Sequence, residues 1–147
     1  MKGDRPMIEI IKVKNDRELE LVHDIRREVF IREQGVPEEL EMDDLDKNAI
    51  HVLASLDGEP TGCGRLLLHG EEARIGRVAV KKVMRRTGIG NGICKLLMTL
   101  AAERGVQKIH LDAQLSAVEF YTQLGFEKVG EAFMEAGIEH IRMEKAL

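Results

Sequence analysis

Cysteine is scarce: only Cys63 and Cys94 occur in 147 residues. They stand far apart with no CxxC or Cys/His spacing, which excludes a disulfide framework and offers no metal-ligand set. They read as reduced thiols in or near the core of a cytoplasmic protein. No apolar run is long enough to span a bilayer, so no membrane partner is expected. The opening MKGDRPMIEI lacks the apolar centre of a secretory signal. Basic excess is missing too: the net charge is −4, which argues against broad nucleic-acid binding. Two phosphate motifs are also absent. No register supplies the G-x-x-x-x-G-K-[ST] of a P-loop. The G-x-G-x-x-G of a dinucleotide turn fails at Ile93 and Lys95, where it would need glycine.

One absence is local and more telling. From Ala73 to Ala102 there is no Asp or Glu, while Arg74, Arg77, Lys81, Lys82, Arg85, Arg86 and Lys95 fall in that span. A basic segment inside an acidic chain points to a local anionic ligand. Its centre, RVAVKKVMRRTGIGNGICKLLMTL, reads as a strand, a basic turn with Gly88, Gly90 and Gly92, then an amphipathic helix. The helix face is Ile89, Ile93, Leu96, Leu97 and Leu100. A glycine-rich helix start lets backbone N–H groups approach a phosphate or pyrophosphate. The opposite pole is EQGVPEELEMDDLD, Glu33 to Asp46, without Lys or Arg. It suits a cationic substrate, although a solvated loop is the better expectation for most of its acids.

At 147 residues and 44% hydrophobic, the chain is sized for one domain, expected over 7–147, with 1–6 as a flexible tail. Met7–Val13 alternates as a strand. Asn15 or Asp16 caps a helix whose face is Leu19, Val22, Ile25, Val29 and Phe30, running to about Glu33. Gly35 and Pro37 end it. Ala49–Leu56, Pro60–Leu68 and Ala73–Val80 form an antiparallel meander, with Asp57-Gly58 as the first hairpin turn. Gly62 and Gly64 are read as interruptions of side-chain packing. Helix 89–104 ends at Gly105, and Gln107–Asp112 is a strand. Ser116 with Glu119 is a candidate capping box for a short helix to Leu124. Phe126–Phe133 and Ile138–Glu144 make a last strand pair. The order β-α-β-β-β-α-β-α-β-β predicts a mixed, mostly antiparallel twisted α/β sheet with helices on both faces.

Two motifs carry a resemblance. Arg85-x-x-Gly88-x-Gly90 resembles the [QR]-x-x-G-x-[GA] acyl-CoA signature of the GCN5-related N-acetyltransferase (GNAT) superfamily. AQLSAVEFYTQLGF resembles its N-x-x-A-x-x-F-Y-x-x-x-G-F segment, with Ala117, Phe120, Tyr121, Gly125 and Phe126 in register and Gln114 where asparagine is usual. The element order is that of the GNAT fold along nearly the whole chain. A third pattern, Arg26-x-x-Val29-Phe30-x-x-Glu33-Gln34-Gly35-x-Pro37 followed by Glu41-x-Asp43-x-x-Asp46, His51 and Gly137-Ile138-x-His140, is similar to the bacterial YjcF-like and ElaA-like branch.

The resemblance implies acetyl-CoA as cofactor and a primary amine of a small molecule or peptide as acceptor. It places phosphates at Arg85, Arg86, Thr87, Gly88, Ile89 and Gly90, with Lys82 nearby. It lays the pantetheine arm along Val78, Ala79 and Val80, with Gln114 and Phe120 completing the site. The Val80 N–H is then a donor to the thioester carbonyl. Direct attack by the amine needs no enzyme nucleophile. Tyr121 is the candidate acid for the leaving thiolate, since a phenol and a thiol differ by only about a unit or two of pKa. Glu33 and His140 lead as candidate bases or acceptor-binding groups, ahead of His51 and His110. A homodimer is an expectation from the superfamily alone. The alternative is a non-catalytic acyl-CoA-binding or sensor module on the same fold. A nucleotide-phosphate binder unrelated to CoA is a third reading, disfavoured by the missing motifs.

Overall fold

Asn15 starts the first helix: its side chain accepts the Glu18 backbone N–H at 2.8 Å, which satisfies one of the free donors of a helix start. The structure, a computed structural model, describes residues 7–147; the expected tail lies outside them. The chain runs through β1 (Ile8–Lys12), α1 (Asp16–Arg26), a π-helical segment (Arg27–Glu33), α2 (Glu38–Glu41) and a 3-10 segment (Asp44–Asn48). It continues through β2 (Ile50–Leu56), β3 (Glu59–His69), β4 (Glu72–Val80), α3 (Ile89–Glu103) and β5 (Lys108–Gln114). Then come α4 (Val118–Gln123), β6 (Glu127–Glu135) and β7 (Ile138–Ala146).

The seven strands form one sheet in the order β1-β2-β3-β4-β5-β7-β6. Every pairing is antiparallel except β4 with β5. The predicted class therefore holds, and the last strand inserts between β5 and β6. Asp57 and Gly58, at φ 50° and 85°, make the tight turn that the dipeptide signals. The apolar stripe of α3, including Ile89, Ile93 and Leu97, packs on one sheet face together with Leu66, Ile75 and Leu111. Val22, Ile25 and Val29 cover the other face against Leu53, Cys63 and Ala79. Both cysteines are free and buried, and burial pushes each thiol up to about 12.

Gly62 and Gly64 do more than interrupt packing. A Cβ on Gly64 would stand 2.8 Å from both Ile93 and Leu97, and one on Gly62 2.9 Å from Ile93. These glycines let α3 lie close on β3. Gly92 plays the same part on the helix side, facing Ile10 of β1, so it is a packing glycine and not a member of the phosphate turn. Gly64→Ala is expected to cost about 1–3 kcal/mol by overpacking. Urea unfolding checks this; an unchanged midpoint would count against the close contact.

Two local readings need correction. The helix to Glu33 is α-helical only to Arg26, and its last seven residues are π-helical. The Gln34 N–H reaches back to the Val29 carbonyl at 3.1 Å, an i→i−5 bond that periodicity over so few residues cannot distinguish. The Ser116/Glu119 capping box does not form. Leu115–Ala117 is a 3-10 turn, and Ala117 holds the cap position with no side-chain bond.

The site is prepared by a disagreement between two strands. β4 and β5 pair only over Glu72–Arg74 and Lys108–His110, although both continue for several residues. Beyond that point they separate. On its other side β4 carries a bulge: Gly76 to Ala79 is opposed by Arg65 to Cys63, and Arg77 takes φ 51°. A bulge bends a strand and re-aims its side chains.

Candidate active site

Two cavities open along the gap between β4 and β5. The inner one, about 580 Å³, is lined by Val78, Val80, Arg86, Gly88, Gly90 and Phe120 among others. The other, about 550 Å³, lies on the α1 side and reaches His140, Gln114, Asp112 and Arg74. Gln34, Val78, Ala117 and Tyr121 line both. The two spaces therefore meet at one point, and the chain's only tyrosine stands there.

The floor of the inner cavity is backbone. Ala79 faces Cys63 in the β3–β4 ladder, and the Lys81 N–H bonds the Thr61 carbonyl at 2.8 Å. In an antiparallel ladder such residues alternate, so the backbone groups of Val78 and Val80 point away from β3 into the gap. The Ala79 backbone is committed to the ladder and its side chain to the core, so it offers the cavity less than its neighbours do. At the far end Gly88, at φ 88°, starts α3 without any side-chain cap. The first intrahelical bond runs from Gly92 N–H to the Gly88 carbonyl at 3.0 Å. The N–H groups of Ile89, Gly90 and Asn91 thus have no partner within the helix, and Gly88, Gly90 and Asn91 line the cavity. Ile89 itself is a core side chain at 1% exposure and contributes only through its backbone. Thr87 bonds the Met84 carbonyl at 2.6 Å, and Phe120 packs over Gly90. This is an uncapped, acid-free helix start beside Arg86, the chemistry of an anion cradle.

Arg85 and Glu33 are found together. Both oxygens of Glu33 accept from Arg85 at 2.7 Å, while the Arg85 Nε donates to the Val80 carbonyl at 2.9 Å. The hydrogen bond to Arg85 holds the Glu33 carboxyl below the usual carboxylate range. Glu33 lines neither cavity. Its geometry is that of a brace on Arg85, and so on the end of β4, rather than of a base. His51 is also withdrawn: it is buried, bonds the Asp46 carbonyl at 2.9 Å and lines neither cavity. His110 is outside both linings as well, near Glu72 at 3.9 Å.

His140 does reach the site. It sits opposite Gln114 in the β5–β7 register and stacks on Phe133 with ring centroids 6.0 Å apart. Its Nδ1 donates to the Ile138 carbonyl at 2.7 Å, so in the neutral ring Nε2 carries the lone pair. Tyr121 is 9% exposed, and burial raises its phenol well above the usual range, with Cys94 adding to the shift. It stays protonated throughout the working pH range. Gln114 donates to Gln34 at 2.9 Å across the gap. Gln34 had been visible only as part of a pattern; no local signal shows that a residue 80 positions away in sequence completes its amide pair.

Within the acidic pole Glu33, Glu38, Glu39 and Asp44 are exposed, as expected for most of its acids, but Glu41, Asp43 and Asp46 form a network. Arg26, wholly buried, bonds Glu41 through Nε and Asp46 at 2.8 Å. Arg65 bonds Asp43 at 2.8 Å and Asp46 at 3.0 Å, and Arg77 stands 3.0 Å from both Glu41 and Asp43. Three carboxylates thus face three guanidiniums, so this wall carries no net negative charge to attract a cation. Among the described residues no group of three or more His, Cys, Asp or Glu is placed to hold a metal ion, and no helix is long and apolar enough to cross a membrane.

Comparison with known proteins adds to this geometry. A family model described as an acetyltransferase (GNAT) domain matches residues 12–147. The chain is 38% identical over 134 residues to the uncharacterized N-acetyltransferase YjcF of Bacillus subtilis, covering 90% of this chain and 95% of that protein. Among solved structures, Escherichia coli ElaA matches with TM-score 0.84 and 26% identity, over 95% of this chain and 99% of that one. An acyl-CoA N-acyltransferase from Pseudomonas aeruginosa matches with TM-score 0.83 and 29% identity, over 97% and 100% of the two chains.

Proposed function

The chain belongs to the GNAT acetyltransferase family, and from that premise we propose that it transfers an acetyl group from acetyl-CoA to a primary amine by direct attack. The observation that carries this reading is the meeting of two cavities at Tyr121 and Val78. A pure binder of the donor needs only the inner cavity. A second space opening on the same point is what an acceptor requires.

Acetyl-CoA supplies an activated acyl group when bound. The residues of the inner cavity fit it. The unpaired N–H groups at the start of α3, with Arg86, would hold the pyrophosphate; the Val78 backbone groups and the Val80 N–H would hold the arm. The Val80 N–H faces the gap and is free to stabilise charge on the carbonyl oxygen. The Val80 carbonyl, in the next peptide unit, is held by Arg85, which anchors the end of β4. His140 Nε2 is oriented by the bond at Nδ1 and takes the proton from the attacking amine, directly or through water. Tyr121 holds a proton for the departing sulfur. Burial makes the phenol a weaker acid, but a thiolate formed in the same dry space becomes a stronger base for the same reason. One C–N bond forms and one C–S bond breaks. One proton leaves the amine and one reaches sulfur.

Incubation with acetyl-CoA and a panel of primary amines tests this. Amine-dependent release of CoA with an acetylated product is expected. Tight donor binding without release for any amine would favour the non-catalytic binding module instead.

A further inference from the structure

The acceptor cavity is lined by three arginines, and Arg74 is the most exposed of them. Arg65 is bonded to Asp43 and Asp46, and Arg77 to Glu41, Asp43 and the Leu40 and Glu41 carbonyls. Both belong to the wall. Arg74 makes a single hydrogen bond, through Nη2 to Asp112 at 3.0 Å, and its side chain is 35% exposed. Its Nε and Nη1 donors make no hydrogen bond to the protein. The pair sits where β4 and β5 part, on the side that lacks α3.

A second observation concerns the charge around this pair. Asp112 stands opposite Arg142 in the β5–β7 register. Arg142 and Lys108 share one carboxylate, Glu144, at 3.1 and 3.2 Å. Glu72, on the same face of β4 as Arg74, stands opposite Lys108 and 3.9 Å from His110, so the fixed charges around the pair are close to balanced. A guanidinium with free donors is matched by a carboxylate, held in two parallel bonds. Asp112, half open beside it, is matched by an ammonium. Part of the remaining wall is apolar: Leu40, Leu45, Val36 and Ile138 line the same cavity as Glu135 and Gln114, and the first two are 56% and 50% exposed.

We propose that the acceptor is an α-amino acid with an apolar side chain, its carboxylate bound by Arg74 and its ammonium first received by Asp112. This rests on the acetyl-transfer reading and names the acceptor class for it. Asp112 holds the amine until His140 takes its proton; only the neutral amine attacks. Arg74 is the residue that selects for the carboxylate.

The test compares leucine with leucinamide and isoamylamine, which keep the side chain and lose the carboxylate. CoA release is measured with acetyl-CoA, and rates are corrected for the neutral-amine fraction. Leucine is expected to have a kcat/KM roughly 10–100-fold higher, the range of a charge-assisted hydrogen bond. Arg74→Gln removes this advantage by raising the KM for leucine, with the KM for acetyl-CoA and the rates with the two comparison amines unchanged. Arg74→Lys restores part of it. A parent enzyme that prefers leucinamide or isoamylamine overturns the inference while leaving acetyl transfer intact. So does an Arg74→Gln variant that slows all three amines alike. Donor binding with no CoA release for any amine overturns both readings.

Discussion

Asp46→Asn is expected to destabilise the fold by roughly 3–5 kcal/mol, the cost of removing one partner from a buried ion pair. Asp46 is the node of the network. Its carboxylate accepts from Arg26 at 2.8 Å, Arg65 at 3.0 Å and His23 at 3.2 Å. Asparagine fills the same volume but leaves Arg26, wholly buried, with Glu41 as its only anionic partner. A loss of that size is a large part of the 5–15 kcal/mol that holds a typical domain together. Acid sensitivity gives a second readout. Burial alone would raise the Asp46 carboxyl, but hydrogen bonds and charge from Arg26 and Arg65 bring it from 3.8 to about 2. Because the folded pKa lies below the unfolded one, the stabilisation is full above about pH 4 and lost as pH falls toward about 2. It amounts to about 2 kcal/mol by proton linkage. Urea unfolding across that window should show a steep fall for the parent chain and a flatter line for Asp46→Asn. A variant within 1 kcal/mol of the parent, or one with the same acid slope, would mean that Asp46 is not the node.

Tyr121→Phe should lower kcat by about 100-fold, the lower end of what a positioned proton donor contributes. The ring itself is part of the core. It meets Phe120 and Phe126 edge-on at centroid distances of 4.9 and 6.0 Å. Phenylalanine preserves those contacts, so the melting temperature and donor affinity should hold. The loss then appears in kcat and in kcat/KM together, the signature of an interaction made in the transition state. A donor with a better leaving thiolate should be less affected by the substitution. Equal loss of donor affinity and kcat would assign Tyr121 to binding instead.

What the sequence made legible, and what it hid, divides by distance along the chain. Strands, turns and the uncapped glycine start of α3 are local, and periodicity with turn chemistry was enough to place them. The two motifs around Gly88 and Tyr121 are each continuous in sequence and were read as units. The pattern Arg26, Glu41, Asp43, Asp46, His51 was visible only as a likeness to other proteins. Its physical meaning required the fold, because Arg26 and Asp46 are 20 residues apart and Arg65 and Asp43 are 22 apart. The same reason hid the Glu33–Arg85 brace and the Gln34–Gln114 pair, whose partners lie 52 and 80 residues away. Charge patterning along the chain placed most of the acids of Glu33 to Asp46 in solvent, where they are, but could not show what surrounds Glu41, Asp43 and Asp46. Three of them answer arginines brought in by α1, β3 and β4.

The burial of Cys63 and Cys94 has a practical side. Both thiols are held at about 12 and sealed within the core, and nucleophilic attack on a disulfide reagent requires thiolate and access. In the folded protein a chromogenic disulfide would therefore have nothing to react with except the CoA that the proposed reaction releases. Colour follows catalysis with no background from the catalyst. When the fold opens, the same reagent should titrate two thiols per chain, so one optical signal counts product in the folded enzyme and counts molecules in the unfolded one.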